Sequence, residues 1–564
     1  MNKQQAQNII KETFENSFDK IRFTGFIKNL LNQIDDSHFA YYGKFIPDAY
    51  KPFIGRYERI GKYSDSENRI DILIVYLNKE TSIEHARTRQ RNFIAGYLEG
   101  NYGSDISKDA ALVAFVSPNE EDWRFSLVKM DYKFEQTESG KMKVKEEFSP
   151  ARRWSFLVGS NESSHTAQSR LVPILTDDQH NPTLAQLEEA FNIEKVTKEF
   201  FEKYRDLFLR TKETLDEIVG KDPKIKADFE AKSVDTVNFA KKLLGQIVFL
   251  YFLQKKGWFG VERDAEWGTG SKKFLRELFE KEHGDYQNFF NDILEHLFYD
   301  ALRDDRSFND YYYSRFNCKI PFLNGGLFDP IGSDRGYDWV HTDILLPNEL
   351  FSNQIKTKEG DIGNGILDIF DRYNFTVKED EPLEKEVAID PELLGKAYEK
   401  FNAIRPDNYD EFRKALKSGK KGEENKFNKK FGVYYTPREI VHYMCQQSLI
   451  NYLATEMDGK VSKESIEFLI LEGERYIEYL KTAKQKMENK SDYKGGYKEN
   501  QYFNEVKKYV IEIEQLLLDI TVCDPAVGSG AFPVGMMSEI VKARNFFVET
   551  GCLDATYINK HNEK

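Results

Sequence analysis

LLLDITVCDPAVGSGAFPVGMMSEIVKARNFF, residues 516–547, is the stretch on which the reading of the fold turns. The apolar run from Leu516 to Cys523 reads as a strand that ends at Asp524-Pro525. A loop of small residues follows, Ala526-Val527-Gly528-Ser529-Gly530, and a helix begins near Phe532. Gly528 and Gly530 lack Cβ atoms, so the backbone there can approach a ligand closely. Asp524, at the carboxyl end of the strand, is placed to accept hydrogen bonds from an amino group. A cofactor carrying a nucleoside fits such a loop, and the unit begins a Rossmann-like α/β domain.

Working outward, residues 1–180 mix helical patterns with strands. RIDILIVYL (69–77), AALVAFVS (110–117) and RFSLVKMDYKF (124–134) are rich in β-branched and aromatic residues and are bounded by polar stretches. Between the first two, SIEHARTRQRNFIAGYL (82–98) carries Ile83, Phe93, Ile94 and Leu98 near helical spacing, with Arg87, Arg89 and Arg91 alternating through it. This is an α+β pattern with a helix crossing the sheet. Residues 181–410 read as a mainly helical connector, in which Phe249, Tyr251 and Phe252 form a core stripe. Residues 411–564 hold the start of the cofactor-binding domain, making the whole chain mixed α/β. Two lysine-rich stretches, 410–430 and 481–501, read as basic loops, and no repeat of fixed period is present.

Composition bounds the rest. A length of 564 residues predicts about three or four domains. With 40% hydrophobic and 14% aromatic residues the chain can fill real cores, which excludes a disordered polymer. The net charge of −13 leaves any nucleic-acid contact to local basic patches. Cys318, Cys445, Cys523 and Cys552 form no pair at metal-ligand spacing, which fits a reducing cytoplasm. Residues 1–20 have the polar character of an amphipathic helix rather than that of a signal peptide. The most apolar run, Leu243 to Leu253, falls short of the roughly 18–20 residues that span a bilayer, so no membrane passage is expected.

The string D-P-A-x-G-S-G-x-F at Asp524–Phe532 resembles motif I of the adenine-specific DNA methyltransferases that bind S-adenosylmethionine. Upstream, FGVYYTPREIVHYMC (431–445) resembles motif X of that family. Further matches, FNIEKVTKEFFEKY (191–204), LLGQIVFLYFLQKKGWFG (243–260), IPFLNGGLFDP (320–330) and DPELLGKAYEKF (390–401), look like the helical region of fused type IIG restriction-modification proteins. The resemblance implies that Asp524, Pro525, Ala526, Gly528, Ser529, Gly530 and Phe532 hold S-adenosylmethionine, with Tyr435, Thr436 and Pro437 packing over its methionine end. Double-stranded DNA is the implied substrate, and site-specific methylation of the adenine amino group within a restriction-modification or phage-defence system the implied reaction.

The chain departs from the family in one respect. Those enzymes carry a tetrapeptide, Asn or Asp followed by Pro-Pro and an aromatic, that accepts the amino protons of a flipped-out adenine and stacks on its ring. No two prolines are adjacent here, and 34 residues follow Gly530. The expectation is an N-terminal portion, or the first half of a split enzyme completed by a second polypeptide.

Type IIG proteins place a Mg²⁺-dependent nuclease with two acids and a lysine at their N-terminus. Asp71 and Lys79 flank a strand in the right sense and Gln90 occupies an accessory position, but Leu77 stands where an acid belongs. Glu58, Asp65 and Glu80 are candidates for the missing acid, with Asp71 as the metal ligand. Arg87, Arg89 and Arg91 are candidates for phosphate contacts. Two alternatives stand beside the methyltransferase: a non-catalytic DNA-binding or regulatory remnant, and an autonomous nuclease formed by residues 1–180.

Overall fold

The computed structural model describes residues 1–47, 50–78, 81, 83, 87–102, 104, 106–130, 134–136, 142–144, 151–323, 326–329, 343–377, 383–391, 394–395, 401–417, 429–430, 436–474, 476–477, 480, 500–527 and 530–554. The chain divides into two compact units: Met1–Phe45 with Phe53–Lys133 and Ser149–Val433, and Ile46–Pro52 with Phe134–Phe148 and Tyr434–Lys564. No seam falls at residue 180, so the N-terminal and connector stretches share one unit.

The first unit opens with α1 (Lys3–Phe14) and α2 (Lys20–Leu31), each started by a side-chain cap, Asn2 and Asp19. Then come β1 (Phe39–Tyr41), β2 (Ile54–Ser64), β3 (Arg69–Leu77), α3 (Arg87–Leu98), β4 (Ala110–Val116), β5 (Asp122–Met130) and β6 (Ala151–Gly159). Helices α4 (His165–Leu175), α5 (Leu184–Ala190), α6 (Ile193–Lys221), α7 (Pro223–Ala231) and α8 (Thr236–Lys255) follow, and β7 (Glu384–Glu386) ends the series. The seven strands form one sheet in chain order. Pairing is parallel between β3 and β4 and between β6 and β7, and antiparallel elsewhere, so the sheet is mixed.

The register divides the sheet into two faces. One carries Tyr76, Trp123, Phe125 and Phe156, and against it lie Phe14 of α1 and Phe23 and Phe26 of α2. Phe14 is 5.6 Å from the Trp123 ring and Phe26 is 5.7 Å from that of Phe125. Each such ring, buried, contributes about 1.5–3 kcal/mol. A register shift between Arg59 and Gly61 bends β2, and a Cβ at Gly61 would lie 2.4 Å from Ile34 Cγ2, so only glycine fits that bend.

The other face lies under α3 and is charged at its far edge. Arg153 of β6 sits beside Glu384 of β7 in the ladder, and its Nη2 donates to Glu384 Oε2 at 3.1 Å. Arg91 and Arg87 reach Glu384 from α3 at 3.5 and 3.6 Å, while Arg87 and Arg124 reach Glu386 at 3.6 and 3.7 Å. Arg124 and Arg153 are wholly buried. Burial alone would raise the Glu384 pKa, but Arg153 and the other guanidiniums outweigh it and hold the carboxyl below its usual range. Burial lowers Arg153 to about 9, with Glu384 opposing and the neighbouring arginines adding to the shift.

Removing one partner of this cluster strands a buried charge. Glu384→Ala should cost about 3–5 kcal/mol in denaturant unfolding, and Arg153→Met/Glu384→Leu less than Glu384→Ala alone. Because Glu384 is depressed on folding, its share of stability is present above the unfolded carboxyl value of about 4.3. It is lost as the pH falls through the lower folded value, and melting curves of wild type and Glu384→Gln should converge on acidification.

Candidate functional site

In the second unit, α9 (Arg438–Glu456), α10 (Gln501–Lys508), α11 (Val510–Asp519) and α12 (Ala531–Glu549) surround a core that includes Leu449, Ile450, Leu453, Ile513, Phe546 and Phe547. The strand expected from Leu516 does not form. Residues up to Asp519 are helical, burying Ile513, Glu514 and Leu517, and residues 520–524 run on without a ladder partner among the described residues. A short apolar run suits a helix as well as a strand, and a strand needs at least one neighbour to pair with. Leucine and glutamate here favour the helix.

The loop leaves one acceptor and one open glycine position unfilled among the described residues. Asp524 Oδ1 accepts the backbone N–H of Ala526 at 3.0 Å. Its Oδ2 is buried with no partner among the described residues. Gly530 takes the left-handed conformation, φ +81°, at the start of α12, and the space where its Cβ would stand is open to 4 Å. Pro525 and Ala526 are exposed, and Phe532 is half-buried against the core. An orphaned carboxylate oxygen beside an open glycine cradle is what an ammonium-bearing nucleoside cofactor requires, so the residues present fit such a group. Gly528, Ser529 and Tyr435 lie outside the described residues. Thr436 and Pro437 are exposed directly ahead of α9.

The helices that follow the two motifs pack on each other. Cys445 Sγ lies 3.6 Å from the Phe532 carbonyl, and a Cβ on Gly535 would be 2.8 Å from Val441 Cγ1. Glu539, 2% exposed, accepts from His442 Nδ1 at 2.7 Å and Gln446 Nε2 at 3.0 Å. Arg438 Nε donates to His442 Nε2 at 3.2 Å, which assigns the imidazole proton to Nδ1. Burial draws the Arg438 guanidinium below its ordinary value. Sequence reasoning passed over Arg438, His442 and Glu539. The signal was an i,i+4 Arg-His pair after Thr-Pro and a lone acid within an apolar helix.

The nuclease candidates scatter. Asp71, 1% exposed, accepts from Tyr97 OH at 2.6 Å and lies 3.9 Å from Arg59 Nη1. Gln90 instead bridges the Ile83 carbonyl and Arg153 Nη1. Glu58 pairs across the ladder with Ile74, which places it on the sheet face opposite Asp71, where it meets Lys20 and Arg56. Asp65 caps a turn and the start of α5. Burial works to raise its carboxyl, but hydrogen bonds from Leu184, Asn68 and Glu67 hold it below the usual range. Lys79 and Glu80 lie outside the described residues, and Leu77 points into the core. Among the described residues no group of three or more His, Cys, Asp or Glu is arranged to hold a metal.

Two of the three arginines expected at phosphates are engaged within the unit. Arg87 and Arg91 face inward onto Glu384 and Glu386, whose charges already engage them, and Arg89 lies 4.2 Å over the Phe53 ring. Much of the two basic loops lies outside the described residues, and Lys430 is paired with Glu411 at 3.1 Å. Among the described residues no helix is long and apolar enough to cross a membrane.

No protein-family profile and no solved structure matches the chain. Over 328 residues it is 28% identical to a protein of Methanocaldococcus jannaschii described as a candidate type II restriction enzyme and methyltransferase. The match takes in 57% of this chain and 22% of that relative, so the chain spans well under two thirds of the relative's length.

The close approach at Gly535 carries a consequence for stability. Gly535→Val should cost about 1–3 kcal/mol by forcing α9 and α12 apart. Gly220→Ala in α6, where a Cβ meets nothing within 4 Å, should stabilise by about 0.5–1 kcal/mol. Thermal unfolding of the two variants checks the contrast.

Proposed function

We propose that this chain carries the S-adenosylmethionine-binding part of an adenine-specific DNA methyltransferase in a restriction-modification system. The observation that carries this reading is the Asp524 carboxylate, one oxygen tied to its own loop and the other buried and unpartnered beside the open Gly530 cradle. Asp524 accepts the cofactor's amino group, the backbone of Ala526 to Gly530 lies along it, and Tyr435, Thr436 and Pro437 cover its methionine end beside Phe532. When bound, the cofactor supplies a methyl group on a sulfonium. The sequence similarity to a protein named as a restriction enzyme and methyltransferase supports the same reading.

The residues that receive the target adenine are supplied by polypeptide outside these 564 residues, either a continuation of this chain or a second one. Two exposed apolar stripes support this: Ile440, Tyr443 and Met444 on α9, and Val534, Met537 and Val541 on α12, with Tyr443 62% and Met537 60% exposed. Spacings of three, four and seven residues keep each stripe on one helix face, the pattern of helices that cover a sheet. In this reading Asp71 is an internal anchor of the first unit, engaged by Tyr97 and Arg59.

Equilibrium dialysis of radiolabelled S-adenosylmethionine against the full chain, alone and co-expressed with the polypeptide of the adjacent reading frame, tests the proposal. Saturable binding is expected, weakened about tenfold to a hundredfold by Asp524→Ala, the loss of one charge-assisted hydrogen bond. Asp71→Asn should leave it unchanged. Absence of binding in both preparations would overturn the reading.

A further inference from the structure

On the sheet face opposite the arginine cluster, β5, β6 and β7 floor a cavity of about 400 Å³, within the range of small-ligand sites. Lys129, Arg152, Trp154 and Lys385 line its floor, and the junction of α5 and α6, from Ala185 to Glu194, lines its other side. The ladder fixes the floor: Lys129 stands opposite Arg152, and Lys385 stands beside Trp154. Three cations therefore surround one half-buried indole on a rigid surface.

Among the described residues, the acids of the cavity are engaged away from Lys385. Glu188 is paired with Lys129, and Glu189 is engaged by Lys195 and Arg170. Glu194 occupies the first turn of α6, where its charge offsets the positive end of the helix. Lys385 makes no ion pair among the described residues, and the Trp154 indole N–H has no hydrogen-bond partner among them. An indole face next to unspent positive charge suits a ligand that joins a planar ring to an anion. Stacking supplies the first contact and phosphate pairing the second.

We propose that this cavity is a nucleotide-binding pocket in which the base stacks on Trp154 and the phosphate lies against Lys385. The ligand is a nucleoside phosphate, either free or as an unpaired nucleotide of a DNA strand. A base stacked within duplex DNA cannot reach the indole, so the pocket discriminates against duplex. The proposal is independent of the cofactor loop, which lies in the other unit.

The test is a calorimetric titration of the full chain with dAMP, with ATP, with a short single-stranded oligonucleotide and with its duplex. Wild type should bind a nucleotide or the single strand in preference to the duplex. Lys385→Ala and Trp154→Leu should each weaken that binding about tenfold, and Trp154→Phe should retain most of it. Melting temperatures check that Trp154→Leu is folded, and Lys385→Ala, on a partly exposed strand, decides the matter if it is not. Binding of dAMP or ATP identifies a free nucleotide as the source, and binding of the oligonucleotide alone identifies a DNA strand. Asp524→Ala should leave all of these values unchanged, which separates this pocket from the cofactor site. No binding, binding of duplex alone, or affinities unmoved by both Lys385→Ala and Trp154→Leu would overturn the proposal.

Discussion

The contact between Glu384 and Arg153 holds the first unit to its plan. It joins a strand of three residues to the edge of a sheet, across 231 positions of chain. Two carboxylates enter a space that holds four guanidiniums among the described residues, and each guanidinium draws on the same pair. Coulombic attraction in a dry interior is strong enough to offset the loss of hydration only when geometry is good. The ladder bonds, in which Arg153 N–H donates to the Leu383 carbonyl and Val387 N–H to the Ser155 carbonyl, supply that geometry. The helix α3 is fastened by the same charges, through Arg87 and Arg91, so helix, sheet edge and distant strand are one structural unit.

Much of the sheet was legible in sequence. The apolar runs at 69–77 and 110–117 are strands within a residue of the expected bounds, and the helix between them is α3. Hydrophobic pattern succeeds there because apolar burial is what forms those elements. It misses β7, Glu-Lys-Glu, because that strand is held by charge and has no alternation to display. The internal pairing of two α3 arginines was hidden for the same reason. Their partners come almost three hundred residues later, and no local pattern distinguishes a guanidinium awaiting an internal carboxylate from one awaiting a phosphate.

At the glycine loop the turn into a helix was legible and the backbone ahead of it was not. Asp524 and Gly530 stand as a glycine loop would have them, one with a free oxygen and one in a left-handed turn. The run before them is helical to Asp519 and unpaired beyond it among the described residues, since a buried strand is made by its neighbours more than by its own side chains. The contact between α9 and α12 was hidden as well. Gly535 looks like one glycine among 35, and only the nearness of Val441 gives it a role.

The long separation between β6 and β7 also bears on how the protein is made. Synthesis at roughly 5–20 residues per second leaves β6 at the open edge of the sheet for on the order of 10–50 s before its partner emerges. During that interval its outer N–H and C=O groups face water, and Arg153 has no carboxylate. An exposed edge invites pairing with any other extended chain, while a cluster of uncompensated guanidiniums repels a close apolar approach and keeps water in place. Until Glu384 and Glu386 are made, the same arginines place charge beside that edge, which disfavours its pairing with an apolar strand.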